Sequence, residues 1–356
     1  MTRPDLLALT ATLVDIESES FQEQALVAHL EARLAAVPWV SIDRVGDNLV
    51  ARTNLGRPRR LLLGGHTDTV PANANGVARL EGDTLWGLGA ADMKGGLAIM
   101  LALAESVSTP AVDVTYLFYA REEVALEHNG LREIVEERPD LLVADLALLG
   151  EPTAGAVEAG CQGTMRFELE LVGERAHTAR PWMGRNAVHR LGEILAALAT
   201  YEPRRPVIEG CEYHEALQAV KVEGGVAGNV VPDRATMVFN HRVAPDRSLA
   251  EAEAHVRALL APMLEEGDRL VVVDAAPPAP PGLDSPLLAS IVGRHDLLVK
   301  AKLGWTDVAF FAERGIPATN FGPGDPALAH TRDERVERVA VDACFEVLRR
   351  VLTEGV

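Results

Sequence analysis

Cysteine is scarce in this chain. Cys161, Cys211 and Cys344 are its only three, far apart and without Cys-x-x-Cys spacing. That excludes a disulfide framework and a thiolate zinc site, and it points to a reducing, cytoplasmic setting. Long apolar runs are missing too. None reaches the roughly 20 residues that a membrane-spanning helix needs. The start, Met1-Thr2-Arg3-Pro4-Asp5, shows no signal-peptide pattern before an amphipathic helix begins. Positive charge is in deficit, with 34 Lys and Arg against 52 Asp and Glu and a net charge of -18. Such a balance argues against nucleic acid and anionic membrane as partners. It also repels an anionic small molecule, so local cations must overcome the global field. No repeat or low-complexity stretch stands out. What remains is a 356-residue chain, 48% apolar, long enough for two domains and a sizeable core.

Chemistry-bearing residues recur where apolar strands end. Leu61-Leu62-Leu63 reads as a buried strand, Gly64-Gly65 ends it, and His66-Thr67-Asp68 follows. Val114-Thr115-Tyr116-Leu117-Phe118-Tyr119-Ala120 is a second strand, followed by Arg121-Glu122-Glu123. Leu146-Ala147-Leu148-Leu149-Gly150 is a third, capped by Glu151-Pro152. Asp92 lies in the glycine-rich run Gly87-Leu88-Gly89-Ala90-Ala91-Asp92-Met93-Lys94-Gly95-Gly96, ahead of a helical stretch, and His330 lies on a late loop. In open α/β sheets, sites form beyond the carboxyl ends of the strands. If these strands are parallel neighbours, two histidines and three or four carboxylates share one cleft. That much negative charge either stops ionising or binds metal. The nitrogen and oxygen donor set suits zinc, and cobalt or manganese fits it too. One carboxylate too many for a single ion suggests two ions, bridged by one of them. Each acid alone would be a capped turn; the set is not.

The rhythm changes after Gly160. Strands are expected over Thr164 to Val172, Ala216 to Glu223, Ala235 to Val243 and Arg269 to Asp274, with helices over Asn186 to Tyr201 and Ser248 to Glu265. That order is β-α-β-β-α-β, a ferredoxin-like module. Pro277-Pro278-Ala279-Pro280-Pro281 reads as a stiff linker. Candidate ligands flank the module on both sides, so it is expected to be an insertion. Earlier in the chain, Ser20 and Glu23 have capping-box spacing at the head of a helix.

Together, His66-Thr67-Asp68-Thr69-Val70-Pro71, the Asp92 loop, Glu122-Glu123, Gly150-Glu151-Pro152 and His330 resemble the co-catalytic zinc aminoacylase/carboxypeptidase family, in order along nearly the whole chain. That family includes acetylornithine deacetylase, aminoacylase, glutamate carboxypeptidase and succinyl-diaminopimelate desuccinylase. The resemblance implies an α/β zinc-peptidase-like catalytic domain, a mixed sheet flanked by helices, over 1–161 and 277–356. An inserted ferredoxin-like α+β lid and dimerisation domain spans 162–276. It implies two Zn2+ per subunit, with Co2+ as a substitute. Asp92 would bridge them, His66 and Glu151 would complete one ion, and Glu123 with His330 the other. Asp68 would orient His66, Glu122 would be the general base, and the Asp92–Met93 peptide would be cis. His177 would support the oxyanion, reaching the partner's site in a homodimer. Asn229 and Arg242 would contact substrate carboxylates, with hydroxyls from Thr164 and Thr306. Read without the resemblance, Arg242 fits an ion pair with Asp246 equally well.

Four segments resemble the actinobacterial desuccinylase branch of the family: Glu158 to Thr164, Gly224 to Asp233, Gly304 to Val308 and Leu328 to Val336. They imply a small anionic N-acyl amino acid as substrate. The expected reaction is hydrolysis of N-succinyl-LL-2,6-diaminopimelate to succinate and LL-2,6-diaminopimelate, for lysine and cell-wall synthesis. One departure stands out: Cys161-Gln162 occupies the place where many desuccinylases carry an Arg pair. The alternatives are another N-acyl-amino-acid deacylase or dipeptidase of the family, and a catalytically silent binding protein on the same fold.

Overall fold

The computed structural model describes residues 4–355; Met1-Thr2-Arg3, in the stretch read above for a signal-peptide pattern, and Val356 lie outside the described residues. The chain divides into two compact units. The first comprises Met1–Gly160, Pro281–Lys300 and Asp307–Val356, and the second Cys161–Pro280 with Ala301–Thr306. Thr306 therefore belongs to the second unit and its neighbour Asp307 to the first.

The first unit is built on an eight-stranded mixed sheet. Its order is Ser41–Val45, Asn48–Arg52, Asp113–Tyr119, Arg60–His66, Leu146–Leu149, Ala318–Asn320, Val157–Ala159 and Val299–Ala301. The three strands that lead into the candidate residues are adjacent and parallel. His66 pairs in register with Tyr119, and Gly64 with Leu149. Their apolar runs are buried along their length, the pattern of strands covered on both faces. Helices Leu6–Val14, Gly95–Ser106 and Arg338–Glu354 pack on one another, and Gly95–Ser106 also packs on the central strands. Leu62, Leu97, Leu101 and Leu149 are fully buried there. Each contributes about 1.5–3 kcal/mol by leaving water. A small sheet in the order Arg335–Glu337, Thr84–Trp86, Arg79–Glu81 ties the stretch after His330 to the start of the Asp92 loop. No helix among the described residues is long and apolar enough to cross a membrane.

The second unit has the expected β-α-β-β-α-β order. Its strands Ala216–Gly224, Arg234–Val243, Gly163–Val172 and Arg269–Ala276 lie side by side in that order, all antiparallel. Helices Ala187–Ala199 and Leu249–Leu260 bury Leu191, Ile194, Val256 and Leu260 against Phe167, Leu169, Met237 and Phe239. The second helix stops before the expected Glu265. Pro262 lacks an N–H, and a short 3-10 turn, Ala261–Met263, takes over. The capping box is also elsewhere than expected. Ser248 and Glu251 form one at the head of Leu249–Leu260. At helix Gln24–Ala35 the N-cap is Glu23, with no side-chain cap.

His241 sits in the core of this unit, on the strand face that the helices cover. It is fully buried, and neither ring nitrogen has a hydrogen-bond partner among the described residues. Burial, then Arg247 and His255, push its pKa down to about 4. Arg204 adds to the positive surroundings, and the buried Glu215 faces Arg204 and Arg247. The unfolded chain therefore binds a proton near pH 6.5 that the folded unit refuses until about pH 4. Stability contributed by neutral His241 is present above pH 6.5 and is lost as pH falls through that window. Between pH 7 and about pH 4.5 this costs about 2–3 kcal/mol. His241→Phe is expected to remove that part of the acid sensitivity. Denaturant unfolding at both pH values checks it; an unchanged difference between wild type and variant would show that other groups carry the effect.

Candidate metal centre

Parallel pairing delivers the site. His66 ends its strand, Glu122 and Glu123 follow the strand on one side, and Glu151 follows the strand on the other. Asp92 comes from the Ala90–Lys94 segment, where the backbone leaves helical geometry at Asp92 and Met93. The Asp92–Met93 peptide is cis, as the resemblance implies. His330 sits on a loop at φ 60°.

The side chains converge as three overlapping groups: Asp92 is common to two of them, and the third is His66 with Glu122 and Glu123. Asp92 Oδ1 is 3.0 Å from His66 Nε2, and Glu151 Oε1 is 3.9 Å from the same nitrogen. Asp92 Oδ2 is 3.5 Å from His330 Nε2, which is 2.9 Å from Glu123 Oε1. In His66, Asp92 and Glu151 the potential ligand atoms lie within 4.8 Å of one another, and so do those of Asp92, Glu123 and His330. Asp92 thus offers one oxygen to each of these two groups. Each triad is one imidazole nitrogen with carboxylate oxygens, the donor set of a divalent transition ion.

The charges fit a cation. Burial opposes a charged His66, yet Asp68, Asp92 and Glu151 outweigh it and raise its pKa well above the usual value. Burial would raise Asp92, but His330 and His66 hold it far below the usual carboxylate range. His330 is lifted to about 10 by its bonds to Asp92 and Glu123. Each imidazole thus lies among carboxylates that favour positive charge there, charge that a divalent ion would supply. Burial pushes Glu122 well above its usual value against the pull of His66, with Glu151, Asp307 and Glu123 adding to the push.

Asp68 holds more than the imidazole. Its backbone carbonyl lies 3.0 Å from His66 Nδ1 and its Oδ1 3.6 Å away. Its carboxylate accepts the backbone N–H of Glu122 at 3.0 Å and of Glu123 at 3.1 Å. Ser20 Oγ donates to it at 2.7 Å. This is where the expected cap residue went: the Ser20 hydroxyl closes the site's support. Arg121 adopts φ 63° ahead of the pair, in the left-handed region. Two further buried groups escaped the sequence reading. Asp307 accepts two contacts from Asn129 Nδ2, at 3.1 and 2.9 Å, and burial pushes its pKa up to about 6. Glu334 lies behind the Asp92 loop. Ser20 is marked in sequence only by its capping-box spacing with Glu23; Asp307 and Glu334 sit inside segments singled out by resemblance, Gly304 to Val308 and Leu328 to Val336, with no role attached to either.

The inserted unit presents its candidates at two ends. The His177 segment pairs with Val230, and Thr178 N donates to Asn229 O at 3.0 Å, so His177 and Asn229 lie together. They follow the end of the sheet where Val172 pairs with Arg234. At the other end, Arg242 pairs in register with Thr164, and Asn240 Nδ2 donates to Thr164 Oγ1 at 2.9 Å. Eight residues of strand separate the ends, roughly 25 Å. Arg242 makes no ion pair among the described residues. Asp246, the alternative partner, bonds Arg204 instead. Thr306 is buried, and its carbonyl lies 3.6 Å from Cys161 Sγ. Gln162 is buried as well, donating to His214 O at 2.8 Å.

The family model described as peptidase family M20/M25/M40 matches residues 62–354, and the chain belongs to that family of metal-dependent hydrolases. Among named relatives, a candidate succinyl-diaminopimelate desuccinylase of Mycobacterium tuberculosis is 50% identical over 98% of both chains. The succinyl-diaminopimelate desuccinylase of Corynebacterium glutamicum is 43% identical over 98% of this chain and 96% of its own. A Staphylococcus aureus tripeptidase shares the fold, with a TM-score of 0.80 at 21% identity over 98% of this chain and 97% of that one.

Backbone contact sets the distance between Asp92 and Glu151. A Cβ on Gly96 would stand 2.5 Å from the Gly150 carbonyl oxygen. Helix Gly95–Ser106 and the strand end before Glu151 can meet this closely only through glycine. On an open helix face, Gly→Ala would gain about 1 kcal/mol. Here Gly96→Ala is expected to lose about 1–3 kcal/mol instead, and to weaken metal binding by spreading the first triad. Thermal unfolding and metal titration check both. A gain in stability with unchanged metal affinity would show that the contact relaxes freely.

Proposed function

We propose that this chain is a di-metal amidohydrolase that cleaves N-succinyl-LL-2,6-diaminopimelate into succinate and LL-2,6-diaminopimelate, acting in the cytoplasm in diaminopimelate and lysine synthesis. The observation that carries the hydrolytic reading is one carboxylate, Asp92, shared by two nitrogen and oxygen triads. The substrate rests on the desuccinylase relatives, similar over 98% of this chain. The metals would be two Zn2+, replaceable by Co2+. His66, Asp92 and Glu151 would hold one, and Asp92, Glu123 and His330 the other. When bound, the ions supply Lewis acidity and a water that ionises near neutral pH.

The rest falls to the chain's own residues. Glu122 takes a proton from the attacking water as its oxygen bonds to the amide carbon. The same carboxyl gives that proton to the departing amine as the C–N bond breaks. Asp68 fixes the turn that aims it, through the Glu122 and Glu123 amides. Arg242, without an acidic partner among the described residues, suits a substrate carboxylate, whose fork it can grip bidentately. Thr164 adds a hydroxyl beside it, and Thr306 is the weaker contact because it is buried.

His177 and Asn229 lie too far from Thr164 and Arg242 for one small substrate to touch both pairs in one chain. That separation supports a homodimer formed through the inserted unit, in which His177 and Asn229 serve the partner's site and His177 stabilises the oxyanion there. The second reading is another N-acyl-amino-acid deacylase or dipeptidase. The burial of Cys161 and Gln162 favours it, since neither reaches a carboxylate as an Arg pair would.

A substrate panel separates the two. N-succinyl-LL-2,6-diaminopimelate is expected to outrun N-acetylornithine and dipeptides, with LL-2,6-diaminopimelate released; faster turnover of either rival would transfer the assignment. On the preferred substrate, Glu122→Gln is expected to bind two zinc ions and lose about 10²–10⁴-fold in kcat.

Assembly has its own test. Co-expressed His177→Ala and Glu122→Gln chains should recover part of the activity, because one site of each mixed dimer carries both intact groups. Purified mixed dimers with no recovery would place His177 in its own chain's site or outside catalysis.

A further inference from the structure

The Asp92 loop leaves backbone amides without helical partners. Asp92 and Met93 depart from helical φ and ψ inside the Ala90–Lys94 segment, and buried N–H groups need acceptors. One side-chain atom from far along the chain supplies two of them. Glu334 Oε1 accepts the Ala91 N–H and the Asp92 N–H, each at 3.0 Å. Glu334 is 1% exposed. Its own backbone is tied to the same loop, since Gly87 N donates to Glu334 O at 3.0 Å.

The same short stretch carries His330. His330 Nε2 stands 3.5 Å from Asp92 Oδ2. Residues 330–334 therefore hold Asp92 from two sides, with an imidazole at its carboxylate and a carboxylate at its amide. A shift of this stretch moves both at once.

We propose that Glu334 is a positioning residue for the shared ligand: by accepting the Ala91 and Asp92 amides it holds Asp92 with one carboxylate oxygen toward His66 and the other toward His330, where metal would bind. The proposal rests on the reading of Asp92 and His330 as ligands. Removing such a supporting group typically weakens metal binding by about 10–100-fold. A residue that merely stabilised the fold would lower the melting temperature and leave the metal geometry alone.

The test is calorimetric titration of the metal-free protein with Zn2+ and visible spectroscopy of the Co2+-loaded form, for wild type, Glu334→Ala, Glu334→Gln and Asp92→Ala. Glu334→Ala is expected to bind metal about 10–100-fold more weakly. Its Co2+ band should shift, and kcat should fall with little change in KM. Glu334→Gln keeps an acceptor oxygen and should recover most of that affinity. Wild-type affinity and an unshifted band in folded Glu334→Ala would overturn the proposal, and so would a Glu334→Gln variant as weak as Glu334→Ala. Should Glu334→Ala not fold, Glu334→Asp takes its place: one methylene shorter, it should weaken binding, and unweakened binding overturns the proposal equally. Two undiminished binding steps in Asp92→Ala would instead remove the ligand reading, and the proposal with it.

Discussion

Four carboxylates at the edge of one sheet repel one another, and the rest of the structure accommodates that repulsion. Asp92, Glu123 and Glu151 face two imidazoles across contacts of 2.9–3.9 Å, while Glu122 is half-buried beside them. Such a cluster is stable only with positive charge inside it. His66 and His330 are placed to carry some, and divalent ions held there would supply more. The fold's task is to keep the group together against its own field. It does so with backbone: parallel ladders bring three strand ends level, and the Gly96–Gly150 contact pins the Asp92 loop to the Glu151 strand.

Much of this was legible because the signals were local and strong. Apolar strands stop at residues that no core tolerates, so Leu61 to Asp68, Val114 to Glu123 and Leu146 to Glu151 announce both their burial and their chemistry. The ferredoxin-like order follows from periodicity alone, and the structure has it. Boundaries failed where one residue overrode a pattern, as Pro262 cut a helix expected to reach Glu265.

What stayed hidden depends on long-range geometry. Ser20 and Glu23 have the spacing of a capping box, yet the hydroxyl goes to Asp68, 48 residues away. A spacing rule counts only neighbours, and the tertiary partner won. The excursion of Ala301–Thr306 into the second unit leaves no mark in composition. Nor does the separation of His177 from Arg242 along the inserted sheet. Both candidates were visible as residue types, but the distance between them exists only in three dimensions.

The Ser20 contact also bears on where this catalytic unit begins. The family model matches from residue 62 onward, which invites an expression boundary near that point. A chain trimmed there would keep every candidate ligand and the Glu122 carboxyl. It would lose the hydroxyl that completes the Asp68 acceptor set, and helix Leu6–Val14, which packs on Gly95–Ser106. Trimming would thus spare every candidate ligand and loosen what holds them, so a fragment that keeps the geometry of the site is longer than the stretch the family model matches.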